Sequence, residues 1–228
     1  MSASTFADVA PALAKPRLSV ALRDHTRDLH TEAEYSGIVQ AILEGSVGRA
    51  DYALFLRNLL PAYETMEREL RRHCGAPALR ALAHAEIFRT QALTRDLEAL
   101  AGAAWRRDLP LLPAAREYAD RIACAAADDP ALLIAHAYVR YLGDLHGGRL
   151  LKKRLAGHDW LPRGALSFYE FPAIPDIARF IAAYRAAIDR AADLLPSCTG
   201  VIAEAAMAFR LNIAVSNAVL AAVAHVTT

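Results

Sequence analysis

The residues best suited to chemistry crowd into one short stretch, Gly143-Asp144-Leu145-His146-Gly147-Gly148. Glycine inside a helix costs about 1 kcal/mol relative to alanine, so three of them in one predicted helix need an offsetting role. Gly143 and Gly147 stand four apart and share a face. Without side chains they open a flat strip where a planar ligand or another backbone can lie close. Close helix–helix packing uses the same spacing, and both readings stay open at this point. The adjacent pair Gly147-Gly148 invites a bend. Asp144 lies within the strip, and Arg140 is one turn earlier, placed for an ion pair. The pair is either a surface contact or a carboxylate held over an open face, able to anchor water beside a ligand.

His30 is the second candidate. It follows Leu29 beside an apolar stripe, with Glu34 one turn later. A metal-binding histidine usually gives its other ring nitrogen to a carboxylate or carbonyl, which fixes the tautomer. Glu34 is placed to supply one, although a half-buried histidine with a helical neighbour has the same pattern. His25 projects to a different side, so the two histidines do not form a shared metal site. HExxH, the E-x-x-H pair of di-iron bundles, GxGxxG, the P-loop and GxSxG are all absent.

The elements that must carry these residues read as helices. Leu18, Leu22, His25, Leu29 and Ala33 recur at steps of three and four. Ser36-Gly37 interrupts, a short apolar turn follows, and Gly45 to Gly48 break it. Residues 52–73 form the next helix, with Pro61 expected to kink it. Residues 77–101 hold one or two helices, 114–127 another, and Asp128-Asp129-Pro130 marks a stop and restart. Residues 131–155 are predicted as one long helix around the glycines. Residues 157–175 form an aromatic loop, and 176–194 and 199–226 are the last helices. No segment alternates with period two over a useful length, so no sheet is expected. Residues 1–16 are expected to be a flexible arm and 17–228 a single domain.

Composition narrows the function classes. The chain has 228 residues, 55% of them apolar and 22% charged, which excludes a disordered chain. The net charge of +1 argues against a global grip on nucleic acid. Cys74, Cys124 and Cys198 lie far apart without a CxxC, so neither a disulfide framework nor a zinc cluster is expected. The first twenty residues lack a basic start followed by an apolar core, so no secretory signal is expected. The apolar stretch 213–226 contains Ser216, Asn217 and His225, and reads as too short and too polar to span a bilayer. A cytoplasmic protein without membrane partners is expected.

Two segments together carry a resemblance. Residues 22–35, LRDHTRDLHTEAEY, and 135–153, AHAYVRYLGDLHGGRLLKK, are similar to the proximal and distal helices of the heme oxygenase family. The similarity continues through FYEFP at 168–172, FIAAYR at 180–185 and AFRLNI at 208–213. The chain ends at Thr228 without the anchoring tail of vertebrate members, and so resembles a soluble bacterial type.

The resemblance implies an all-α, single-domain fold with heme between two helices. It implies oxidative cleavage of heme to biliverdin with release of carbon monoxide and ferrous iron. Heme would be both cofactor and substrate. His30 matches the proximal iron ligand and Glu34 its acidic support. Gly143, Gly147 and the neighbouring Gly148 match the distal glycines, and Asp144 the carboxylate that orders water. Tyr63, Tyr118, Arg140 and Asn212 match polar residues of the same network, and Phe209 a pocket aromatic. Arg23, Arg27, Tyr138 and Arg185 match positions near the heme propionates.

The resemblance also implies O2 and an external electron donor, a ferredoxin or a reductase. Arg149, Lys152, Lys153 and Arg154 are a candidate docking patch or a solvated helix face. A biliverdin-binding photoreceptor is a further candidate partner, and a monomer is expected. Two positions depart from the family pattern. His146 stands where a serine is usual, and is expected to tune the water network rather than bind iron permanently. Ile181 stands where many members place a propionate-binding lysine. The kept GDxxGG strip predicts opening at the α position. The rival reading is a non-catalytic heme carrier or sensor on the same fold.

Overall fold

The computed structural model describes residues 17–226, all helix and connection with no strand among them. The expected arm at 1–16 lies outside the described residues. The helices are α1 (Leu18–His25), α2 (Arg27–Glu34), α3 (Gly37–Glu44), α4 (Arg49–Arg72), α5 (Pro77–Arg80), α6 (Thr90–Ala101), α7 (Trp105–Asp108), α8 (Pro113–Asp128), α9 (Leu133–Ala137), α10 (Gly143–His146), α11 (Gly148–Leu155), α12 (Ile177–Ala192) and α13 (Thr199–Val226).

The core forms where apolar faces at helical spacing meet. α4 contributes Leu56, Leu59, Leu60, Tyr63, Met66 and Leu70, all buried, and runs on through Pro61. It packs against α6 and α8. Asn58 fastens it to the connection between α7 and α8 by donating to the Pro110 carbonyl and accepting from the Leu112 N–H. α13 packs against α1, α2, α3, α4, α8 and α9. By length and composition Thr199–His225 is long and apolar enough to cross a membrane, which the shorter apolar stretch read from sequence is not. The helix begins fourteen residues earlier than that stretch, and its buried Val201, Ala205, Ala208 and Val219 belong to the core.

The structure departs from the sequence reading in several places: the short apolar turn after Ser36-Gly37 is helix α3, α7 stands where no helix is predicted, and two predicted helices beside the cavity are divided. The first predicted helix is broken at Thr26. Its buried hydroxyl donates to the Leu22 carbonyl at 2.7 Å, and this back-bonding bends helices. The long helix expected at 131–155 is divided. A 3-10 turn at Pro130–Leu132 leads into α9, a π-helical turn spans Tyr138–Leu142, and α10 and α11 meet at Gly147. A π turn adds a residue to the repeat and shifts the phase of everything after it.

Candidate functional site

α2, the π turn and α10 line one cavity of about 500 Å³, together with residues of α4, α12 and α13. The volume suits a single organic ligand. His30, Glu34, Gly143, Gly147, Asp144, His146 and Phe209 all line it. So do Arg23, Arg27, Tyr138, Arg140, Arg185 and Asn212.

His30 stands on α2, one turn beyond the Thr26 break, and its backbone N–H donates to the Thr26 carbonyl at 2.8 Å. The ring is half exposed and meets Phe209 edge-on at 5.9 Å between centroids. Nδ1 lies 3.6 Å from Glu34 Oε1, too far for a direct hydrogen bond but close enough to favour a proton on Nδ1. That leaves the Nε2 lone pair, which has no protein partner among the described residues, for an electrophile in the cavity.

The other wall carries a connected polar network. Tyr63 is fully buried, and its hydroxyl donates to Asp144 Oδ2 at 2.6 Å. Arg140 donates to the same hydroxyl from Nε at 2.9 Å and from Nη2 at 2.6 Å. Nη1 of Arg140 donates to the Asn212 side-chain carbonyl. Arg140 Nη2 also lies 3.6 Å from Asp144 Oδ1. Burial raises the Asp144 carboxyl above the ordinary range, against the pull of Arg140, the Tyr63 hydrogen bond and Arg89. Burial likewise drives the Tyr63 hydroxyl well up. A carboxylate so placed accepts from one side and can hold water on its cavity side.

The glycines divide by what surrounds them. A Cβ on Gly143 would meet nothing within 4 Å, and one on Gly147 only its own helix's Gly143 carbonyl oxygen at 3.5 Å. No neighbouring helix packs against these two positions, and both line the cavity. Gly148 differs: it is buried, and a Cβ there would sit 3.0 Å from Tyr169 Cδ1. It lines the cavity, but its smallness is fixed by Tyr169.

The rim is cationic. Arg23 and Arg27 both donate to Asp24 Oδ1, at 3.1 and 3.0 Å, and the Arg23 hydrogen bond leads in lowering that carboxyl. Arg185 approaches from α12. Such forks suit ligand carboxylates. His146 faces Arg185: its Nδ1 lies 2.7 Å from the Leu142 carbonyl oxygen, and its Nε2 lies 3.4 Å from Arg185 Nη2. Ile181 is buried in the core and does not line the cavity.

Two predicted site residues stand behind the wall. Tyr63 reaches the site through Asp144. Tyr118 makes no hydrogen bond among the described residues; burial drives its hydroxyl up to about 12. Its ring packs against His136 at 5.8 Å. Lys152 of the basic run is tied to Glu170 at 2.8 Å.

Sequence reasoning missed what braces this wall. His136 is fully buried, and its Nε2 donates to Glu204 Oε1 at 2.9 Å. Arg121 grips both Glu204 oxygens. Burial raises the Glu204 carboxyl, but His136 and Arg121 more than offset this and hold it at about 2. A signal existed, since Glu204 is the lone acid in the apolar 199–226 run and a buried charge must be paired. Arg89 was missed too. It is buried, donates to the Phe168 and Glu170 carbonyls, and lies 4.0 Å over the Phe171 ring. With Asp96, which accepts from the Ser167 and Phe168 N–H groups, it pins the aromatic loop beside the cavity.

The chain is similar to known proteins over most of its length. The family model for heme oxygenase matches residues 16–218. Heme oxygenase 1 of Nostoc sp. is 38% identical over 194 residues, covering 84% of this chain and 81% of the relative. The crystal structure of heme oxygenase-1 from Synechocystis sp. in complex with heme is 34% identical, with a TM-score of 0.79, and the match covers 93% of this chain and 98% of that one. Heme oxygenase-2 of the same genus, in complex with heme and NO, is 33% identical with a TM-score of 0.86, over 92% of this chain and 88% of that one.

Proposed function

The chain belongs to the heme oxygenase family, and from that premise we propose that it cleaves heme oxidatively to biliverdin, releasing carbon monoxide and ferrous iron with O2 and external electrons. One observation carries the reading. A single cavity joins a histidine with an uncommitted Nε2, a side-chain-free glycine strip and a buried carboxylate network. Heme, when bound, supplies the iron that activates dioxygen and the ring that is opened.

The residues fit that ligand in kind. His30 would hold the iron, with Glu34 biasing the ring tautomer. Gly143 and Gly147 would let the helix backbone lie against the ring face. Arg23, Arg27, Tyr138 and Arg185 would receive the propionates, and Phe209 would pack beside His30. Asp144 holds water at the cavity face. Tyr63 supplies the hydrogen bond that orients Asp144, and Arg140 fixes Tyr63 while Asn212 fixes Arg140. The raised Asp144 carboxyl is suited to passing a proton to that water. Tyr118 would reach this network only through water. His146 and Gly148 complete the distal lining.

An external ferredoxin or reductase would provide electrons, docking near Arg149, Lys153 and Arg154. The protein would act as a cytoplasmic monomer, one domain over 17–228, and a biliverdin-binding photoreceptor is a natural consumer of its product.

The test mixes purified chain with hemin, records the Soret band, then adds a ferredoxin reducing system in air. The expected result is loss of the Soret band and growth of a red biliverdin absorption, with the α isomer in the product. A Soret band that persists under reduction and oxygen would make the protein a carrier or sensor instead. Absence of any hemin complex would restrict the likeness to the fold.

A further inference from the structure

His146 makes two contacts that together specify its protonation. Nδ1 faces the Leu142 carbonyl oxygen at 2.7 Å. A carbonyl only accepts, so Nδ1 carries the proton. The neutral ring then offers its lone pair at Nε2, which lies 3.4 Å from Arg185 Nη2. A guanidinium only donates, so both contacts call for the same tautomer. Arg185 is the cavity-lining cation of α12, and Ile181, one turn earlier, is buried away from the cavity. The seat on this helix therefore rests on one arginine, and His146 touches it.

We propose that His146 is a positioning residue for Arg185. By accepting from one guanidinium nitrogen, it fixes which N–H edge is presented to a ligand carboxylate. That sets the rotation of the ring against the Gly143–Gly147 strip, and hence which edge of the ring is opened. The inference rests on the heme reading above and adds to it a determinant of regiochemistry. The same lone pair cannot serve Arg185 and iron together, so His146 is not a resting distal ligand.

The test uses the full chain in three readouts. Nitrogen-15 NMR of labelled histidine in the ligand-free protein reports the His146 tautomer. Hemin titration reports affinity, and chromatography reports the biliverdin isomers. The variants are His146→Ala, His146→Gln, Arg185→Ala and the His146→Ala/Arg185→Ala double. The Nδ1–H tautomer is expected. His146→Ala should weaken hemin binding about 3- to 10-fold, the scale of one net hydrogen bond, and bring a second isomer into the product. The double variant should bind no worse than Arg185→Ala alone. His146→Gln, which keeps an acceptor, should restore the isomer pattern.

An Nε2–H ring, additive losses in the double, or an unmoved isomer pattern in His146→Ala would each overturn the proposal. So would a low-spin ferric wild type that becomes high-spin in His146→Ala, since that places His146 on the iron. A wild type that binds no hemin overturns the functional reading itself, and this proposal with it. Hemin binding with an unmoved isomer pattern overturns this proposal alone.

Discussion

At the seam between α3 and α13, a Cβ on Gly37 would lie 2.3 Å from the Ser216 carbonyl carbon, whereas a Cβ on Gly143 would meet no atom within 4 Å. Gly37 also has φ of +56°, a left-handed backbone that other residues adopt at a cost. Ser216 completes the seam by donating to the Ser36 carbonyl at 2.8 Å and accepting from the Val39 N–H at 3.3 Å. The seam is closed by protein on every side; the strip is left open by it. The same residue type thus marks a finished contact in one place and open space along the cavity in the other. What separates them is the neighbouring element, not the glycine.

That contrast can be broken most sharply at the seam. Gly37→Ala should cost about 3–5 kcal/mol, from backbone strain plus overpacking against a rigid main chain. Urea denaturation of the ligand-free chain measures it, and a variant as stable as the wild type would deny that the seam is tight.

The brace behind the strip comes next. Glu204 titrates at about 2 in the fold against an ordinary 4.5. A depressed carboxyl contributes stability that is present above the unfolded value and lost as pH falls through the folded one. About 3 kcal/mol should therefore disappear between pH 4.5 and 2. Glu204→Gln should flatten that part of the pH–stability curve, and an unchanged acid limb would remove Glu204 as its source.

Tyr63→Phe deletes the atom that joins Arg140 to Asp144. The buried partners left unsatisfied should cost about 2 kcal/mol, with slower biliverdin formation in single turnover. Wild-type stability and rate would detach the network from the strip.

The smallest stability effect, and the most informative, is expected of Gly143→Ala. Added helix propensity should stabilise the ligand-free chain by about 1 kcal/mol, while hemin affinity falls roughly tenfold or more through crowding of the ring face. Stability rising while affinity falls would set the strip apart from the seam. Unchanged hemin affinity would return Gly143 to ordinary helix chemistry.

Much of this was legible beforehand where the signal is local. The 3.6-residue period placed most of the helices, and the glycine spacing offered an open face or close helix packing without deciding between them. Local signals failed where a bond departs from the repeat. Thr26 reads as an ordinary polar residue, yet its hydroxyl competes for the Leu22 carbonyl and breaks the helix one turn before His30. The π turn at Tyr138–Leu142 left no trace in the apolar pattern.

The sequence by itself determined the all-helical architecture, the family, and the residue types that could hold an iron, a flat ring and its carboxylates. The architecture follows from periodicity and the residue types from side-chain chemistry, which are properties of the chain, and the family follows from the resemblance of its motifs. Only the tertiary structure decided that Gly143 and Gly147 face open space while Gly148 abuts Tyr169. It also decided that Tyr63, 81 residues from Asp144, is its donor, that Glu204 braces His136, and that His146 meets Arg185. Those pairings join side chains distant in sequence, and burial fixes most of them, because an unpaired polar group in the interior is too costly to leave.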